Sequence, residues 1–181
     1  MKGQTVQPSP SIDRRAELPS AERIQELFFA AASMGRDEMI PDLLRAGAQL
    51  EARDVRGYTA LILASYNGRA STTRLLLKLG ADPDAGDDER GNTALMGLSF
   101  KGYAEIASIL IEGRADVNAR NVAGQTALMT AVLFNQRTII DLLLDAGADA
   151  SLIDHDGNTA LKLAQLHGRT DLISRFSGFH G

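Results

Sequence analysis

The sequence predicts an all-α solenoid of about five helix-turn-helix repeats joined by β-hairpin-type loops. Two independent spacings predict it. The phrases "GYTALILASYNG" (57–68), "GNTALMGLSFKG" (91–102), "GQTALMTAVLFN" (124–135) and "GNTALKLAQLHG" (157–168) open on glycines 34, 33 and 33 residues apart. A second series, "LLRAGA", "LLKLGA", "LIEGRA" and "LLDAGA", ends on Ala48, Ala81, Ala115 and Ala148, at spacings of 33, 34 and 33. A third observation joins them. One unit cannot bury its leucines alone, so neighbours must stack.

Each unit reads as two short helices. Thr59 follows a glycine turn and precedes an apolar run, where its hydroxyl can accept a backbone N–H as an N-cap. "ALILASYN" is the first helix, ended by Gly68, and "STTRLLLKL" the second, ended by Gly80. Leu75, Leu76 and Leu77 are apolar on several sides, as expected where both faces meet neighbours. The polar stretch after Gly80 reads as a hairpin loop. The first unit, "SAERIQELFFAAASMGRDEMIPDLLRAGA", lacks the glycine-threonine opening. Ser20 can cap it, and Glu22, Arg23, Gln25 and Glu26 suit a solvated outer face, so it reads as an N-terminal capping repeat. Pro41 falls early in its second helix, where no N–H is needed. The last unit ends at "DLISRFSGFHG" without a further hairpin. The expected division is a disordered tail over 1–19, with Pro8, Pro10, Pro19 and few apolar residues, then one domain over 20–181. Its repeats run approximately 20–53, 54–87, 88–120, 121–153 and 154–181.

These residues resemble the ankyrin repeat. The family's final element, Gly-Ala-Asp-Val-Asn-Ala, is matched by "GADPDA", "RADVNA" and "GADASL", and "ADVNARN" (115–121) is close to the family wording. The resemblance covers about 22–176. The departures are specific. Ala60, Ala94, Ala127 and Ala160 stand for the family's proline, and Ile62, Met96, Met129 and Lys162 for its histidine, so that residue's hydrogen bonds between hairpins are missing. Arg114 stands where a left-handed glycine is expected, with Gly113 just before it, and this predicts a helix ending one residue early. The loop 81–91 has one residue more than its counterparts 48–57, 115–124 and 148–157.

Composition narrows the function. The chain of 181 residues is 44% hydrophobic and 23% charged, ordinary for a soluble globular protein, with no cysteine and a net charge of −4. Absence of cysteine excludes disulfides and thiolate metal sites. The negative charge argues against a nucleic-acid partner, which needs a basic surface. No run of about 18 apolar residues predicts membrane insertion, and no signal peptide is read at the start. A cytoplasmic location is expected, or a periplasmic one if a leader was omitted. The acidity is local. In "DPDAGDDER" (82–90), Asp82, Asp84, Asp87, Asp88 and Glu89 stand against Arg90, which leaves this segment at −4, the net charge of the whole chain.

No catalytic, cofactor or metal site is read. G-x-S-x-G, Walker A and zinc-hydrolase spacings are absent. The acid cluster lacks the spacing of a calcium loop. Of the three histidines, His155 lies between Asp154 and Asp156 in a turn, and His167 near the end of a first helix. The expected protein is a non-enzymatic monomer without cofactors that binds another protein.

The resemblance implies where. In ankyrin arrays the two residues before the glycine ending the first helix face the concave groove. Here they are Ser33-Met34, Tyr66-Asn67, Phe100-Lys101, Leu133-Phe134 and Leu166-His167. This apolar line either fills gaps between repeats or presents a stripe to a partner. Hairpin tips form the rim, with Arg53, Arg56 and Tyr58, then Asp87, Asp88, Glu89, Arg90 and Asn92, then Arg120 and Gln125, then His155. The wording "TALM" resembles small stand-alone bacterial ankyrin proteins. That resemblance implies support of an oxidative-stress enzyme such as catalase, or alternatively an immunity or inhibitor protein that neutralises a cognate toxin or enzyme.

Overall fold

The computed structural model describes residues 19–177. The tail expected over 1–19 therefore falls outside the described residues except for Pro19, as do residues 178–181 with His180. Ten α-helices follow one another among the described residues: α1 Ala21–Met34, α2 Ile40–Arg45, α3 Ala60–Tyr66, α4 Ala70–Lys78, α5 Ala94–Lys101, α6 Ala104–Glu112, α7 Ala127–Leu133, α8 Arg137–Asp145, α9 Ala160–Leu166 and α10 Thr170–Ser177. Helices α1, α3, α5, α7 and α9 pack side by side in one layer, and α4, α6 and α8 in a second. A 3-10 turn, Asp37–Met39, leads into α2, and the Thr72 hydroxyl of α4 donates to the Asp37 carboxylate there.

The helix starts follow from the threonines. The hydroxyls of Thr59, Thr93, Thr126 and Thr159 accept the backbone N–H of Ile62 (3.3 Å), Met96 (3.4 Å), Met129 (3.3 Å) and Lys162 (3.1 Å). Each satisfies a donor that the first helical turn leaves without a partner. Ser20 does the same for α1, through Arg23 N–H at 3.2 Å. Between the layers lie Phe28, Leu76, Leu98, Leu110, Leu128, Ile140 and Leu143, all without exposed surface beyond 1%. The positions where the family has histidine are filled by Ile62, Met96 and Met129, all buried, so apolar burial replaces the missing polar link. In the last repeat Lys162 is exposed, and its ammonium donates to the Gly157 carbonyl at 3.1 Å.

The loops are tight turns, and no strand occurs among the described residues. Each turn is bracketed by one acceptor side chain. Asp54 Oδ1 accepts the N–H groups of Arg56 (2.9 Å) and Tyr58 (3.0 Å). Asp87 takes those of Glu89 and Arg90, Asn121 those of Ala123 and Gln125, and Asp154 those of Asp156 and Asn158. The extra residue of loop 81–91 is accommodated at the tip. There Gly91 N–H returns to Asp87 O four residues back, where Gly57, Gly124 and Gly157 return three residues back. A Cβ on Gly86 would lie 2.6 Å from the Gly91 backbone, so the wider turn closes only over glycine.

The expected shortening before Arg114 does not occur. Helix α6 has nine residues, like α4 and α8, and Arg114 itself adopts the left-handed conformation at φ 67°. The reason lies one residue earlier. A Cβ on Gly113 would stand 2.8 Å from Leu77 Cδ1 and 3.2 Å from the carbonyl oxygens of Ile109 and Leu110. Gly113 closes the helix with an ordinary φ of −75°, so the left-handed step falls on Arg114 and not on the glycine. Arg114→Gly is expected to stabilise the fold by about 1 kcal/mol, the left-handed penalty less glycine's greater chain entropy. Thermal melting should rise by about 2–4 °C; an unchanged or lower midpoint would show that Arg114 is unstrained.

Adjacent repeats are also stitched at the base of the loops. Backbone N–H groups of Asp82, Asp116 and Asp149 donate to the side chains of Glu51 (2.9 Å), Asp84 (2.8 Å) and Asn118 (2.7 Å) of the repeat before, as Gln49 N–H does to Gln25 (2.7 Å) within the first. Asp84 is the strained rung. Burial pushes its carboxyl above the usual range, the Asp116 N–H opposes this, and the carboxylates of Asp116 and Asp82 add to the rise. A raised value means that the folded state binds the proton more tightly, so ionised Asp84 costs stability near neutrality and the cost fades on acidification. Asp84→Asn, which copies Asn118, should therefore raise the melting temperature at pH 7. The gain should be gone below the ordinary carboxylate value of about 3.9. A gain that persists at acid pH would show that charge is not its cause.

Candidate functional site

The ends of the first helices and the turns enclose a groove of about 780 Å³. Its floor is Leu63, Met96, Gly97 and Thr130, with Ile62 and Thr93 beside them. Tyr66, Phe100, Leu133 and Phe134 line its helix side, with Ser33 and Asn67 at one end. Arg56, Tyr58, Asp87, Glu89, Arg90, Asn92 and Gln125 line its turn side.

The aromatic row sits at the last turns of α3, α5 and α7. Tyr66, Phe100 and Phe134 are 41%, 44% and 48% exposed, whereas Ser65 and Ser99, just before the first two, are buried and Leu133, before the third, is half-buried. Phe100 and Phe134 meet edge to face, with centroids 4.6 Å apart and planes at 89°, a favoured arrangement of two rings. Tyr66 lies against the open flank of α5 at Gly97, and Lys101 Nζ stands 4.4 Å from its centroid, within the range of a cation–π contact. Asn67 is fixed by bonds to the Leu63 carbonyl (2.8 Å) and the Ser33 hydroxyl (3.2 Å).

The turn side is largely satisfied within the protein. Arg56 pairs with Asp54 at 3.1 Å and lies over the Tyr58 ring at 5.0 Å. Burial pushes the Asp54 carboxyl up, but bonds from the N–H groups of Tyr58 and Arg56 and from the Arg56 side chain outweigh it and hold Asp54 below the usual range. Asn121 donates to Asn92 at 2.9 Å and to Gln125 at 3.4 Å, tying two turns together. Val122 N–H donates to Arg90 O (2.8 Å) and His155 N–H to Ala123 O (2.9 Å), so successive tips are stapled into a stack.

The structure separates the residues expected at the partner surface into two groups. Arg56, Tyr58, Tyr66, Asn67, Asp87, Glu89, Arg90, Asn92, Phe100, Gln125, Leu133 and Phe134 are brought together around the groove. The others do not line it. Met34, Leu166 and His167 are exposed beyond its ends. Lys101 is engaged with Tyr66. Arg53 and Arg120 are cross-links rather than free cations at the rim. Arg53 reaches the carbonyls of Gly57 and Gly86 and pairs with Asp88 at 3.1 Å. Two units further on, Arg120 reaches those of Gly124 (3.2 Å) and Ile153 (2.6 Å). The His155 ring packs against Gly124, leaving no room for a Cβ there.

Sequence reading missed the floor. Leu63, Gly97 and Thr130 occupy one position of the period, and a glycine inside a helix, about 1 kcal/mol worse than alanine, was the signal that space is needed there. Among the described residues no three His, Cys, Asp or Glu side chains are placed to hold a metal ion. No helix among them is long and apolar enough to cross a membrane.

A two-layered stack of helix pairs with stapled turns and an open aromatic groove defines a repeat-built recognition scaffold. The chain belongs to the ankyrin-repeat family: the family model described as ankyrin repeats (3 copies) matches residues 27–121 and 100–176. Such repeats are protein–protein interaction modules, generally without catalysis. Segments of the chain are similar to three animal proteins. Mitochondrial disaggregase of Bos taurus is 39% identical over 61 residues, 34% of this chain and 9% of that protein. Ankyrin repeat and KH domain-containing protein mask-1 of Caenorhabditis elegans is 40% identical over 58 residues, 32% of this chain and 2% of that protein. Protein phosphatase 1 regulatory subunit 27 of Mus musculus is 37% identical over 59 residues, 33% of this chain and 38% of that protein. The matched segments thus span well under half of each relative.

Proposed function

We propose that the chain binds a segment of another protein in the concave groove, with the turn tips as its rim. The observation that carries this is the row Tyr66, Phe100 and Phe134, each two-fifths or more exposed in a shared groove of about 780 Å³. Half-exposed aromatic rings on a rigid frame are efficient anchors, because little side-chain freedom remains to be lost on binding. The stapled turns and satisfied side chains keep the groove preformed, so the module works as a rigid monomer and recognition is its whole mechanism. The name of the mouse phosphatase regulatory subunit is a precedent for such repeats in a protein that regulates an enzyme.

Two finer roles fit the same surface. One is support of an oxidative-stress enzyme such as catalase, in a small bacterial-type protein of the cytoplasm or periplasm. The other is neutralisation of a cognate toxin or enzyme. Both place an enzyme in the groove, and they differ in whether its activity is sustained or blocked. The test is affinity capture from the source cell, followed by amide exchange on the isolated complex. Protection is expected over 62–67, 93–101 and 130–134. Protection confined to the outer faces of α4, α6 and α8 would overturn the reading.

A further inference from the structure

Resting on that reading, we infer that the segment bound in the groove is basic: a lysine or arginine flanked by apolar residues, whose cation takes the place of Lys101 on the Tyr66 ring. Three observations lead there. The first is Lys101 itself. Its ammonium stands 4.4 Å from the Tyr66 centroid, and no carboxylate pairs with it among the ion pairs of the described residues. The ring face is therefore open to a cation, and the cation held there is tethered only by its own flexible stem. A ring quadrupole attracts any ammonium or guanidinium that reaches it, whether it comes from within or from a partner.

The second observation is the charge of the wall. The loop that carries the net charge of the whole chain contributes Asp87 and Glu89 to the groove. The third is that two of the neighbouring cations are already committed. Arg56 is held by Asp54 and Tyr58, and Arg53 by Asp88. Arg90 is nearest to Glu89, at 3.8 Å with both side chains more than 70% exposed, a loose pair that a partner's cation can enter. The apolar flanks of the segment meet Phe100 and Phe134, whose edge-to-face pair holds no cation among the described residues. A carboxylate in the segment's place would face Asp87 and Glu89.

The probe is a phage-displayed library of random twelve-residue peptides, selected on the full chain of 181 residues and counter-screened on the Tyr66→Ala/Phe100→Ala double variant. Peptides lost on the double variant are expected to be richer in lysine and arginine than in aspartate and glutamate. A synthetic peptide of the leading sequence should bind Lys101→Met about two- to fivefold more tightly than the unaltered chain, because the ring is vacated. It should bind Glu89→Gln about two- to fivefold more weakly, an effect that 0.5 M salt removes. Groove-dependent peptides with an acidic or neutral bias would overturn this inference and leave the groove standing as a binding site. So would Lys101→Met binding no better than the unaltered chain. Selected peptides indifferent to the double variant, or none selected at all, would overturn the groove reading and this inference with it.

Discussion

Leu98→Ala is expected to lower the stability of the chain by about 3–5 kcal/mol, through lost burial and the cavity left in the packed interior. Leu98 has no exposed surface and sits in α5, which packs against α3 on one side and α7 on the other. Stability in a solenoid is approximately a sum of repeat terms and nearest-neighbour interface terms. A cavity at the centre therefore weakens two interfaces and loosens the coupling between the halves. Leu172→Ala provides the contrast. Leu172 is 4% exposed in α10, at the end of the stack, where the damage can be contained by fraying. In urea, with a slope of about 1–3 kcal/mol per M, Leu98→Ala should move the midpoint by about 1–5 M and broaden or split the transition. Leu172→Ala should leave the main transition near its place and add a shallow early phase. Identical curves for the two variants would show that the stack unfolds as one unit, against the repeat-by-repeat account.

What the sequence makes legible is what each unit decides locally. The threonine caps at 59, 93, 126 and 159 need only a hydroxyl three residues before an N–H, and they sit where the repeated phrase places them. The period and the leucines follow for the same reason, since every unit repeats one local solution. What is not legible depends on a neighbour about one period away along the chain. Arg53 and Arg120 look like free charges at a turn, yet their partners are carbonyls of the next turn. Gly113 looks like a displaced helix terminator, yet Arg114 takes the left-handed step and the Leu77 side chain of the preceding repeat lies against Gly113. The groove was half legible. Its aromatic row follows from position within the unit. The floor at Gly97 and the Lys101–Tyr66 contact exist only once two units are stacked.

Tyr66→Ala and Phe100→Ala are each expected to weaken binding of the captured partner about 30-fold or more. Truncation of an aromatic anchor at an interface typically costs about 2 kcal/mol or more, and each 1.4 kcal/mol is about tenfold. The opposing account is that these rings fill gaps between repeats. The two accounts differ in what else changes. Tyr66 and Phe100 are 41% and 44% exposed, so their removal uncovers less core than that of a fully buried ring. Tyr66→Ala forfeits the Lys101 contact, about 0.5–1 kcal/mol at an exposed site. Phe100→Ala forfeits the edge contact with Phe134, about 0.5–1.5 kcal/mol. With the buried part of each ring added, folding stability should fall by about 1–3 kcal/mol in either case, short of the about 3–5 kcal/mol that follows truncation of a fully buried Phe. Gap-filling reverses the pattern, with a large loss of stability and an affinity within about twofold of the unaltered chain. Titration calorimetry and urea denaturation on the same two variants separate the accounts. The groove assignment survives only if affinity, rather than stability, carries most of the loss.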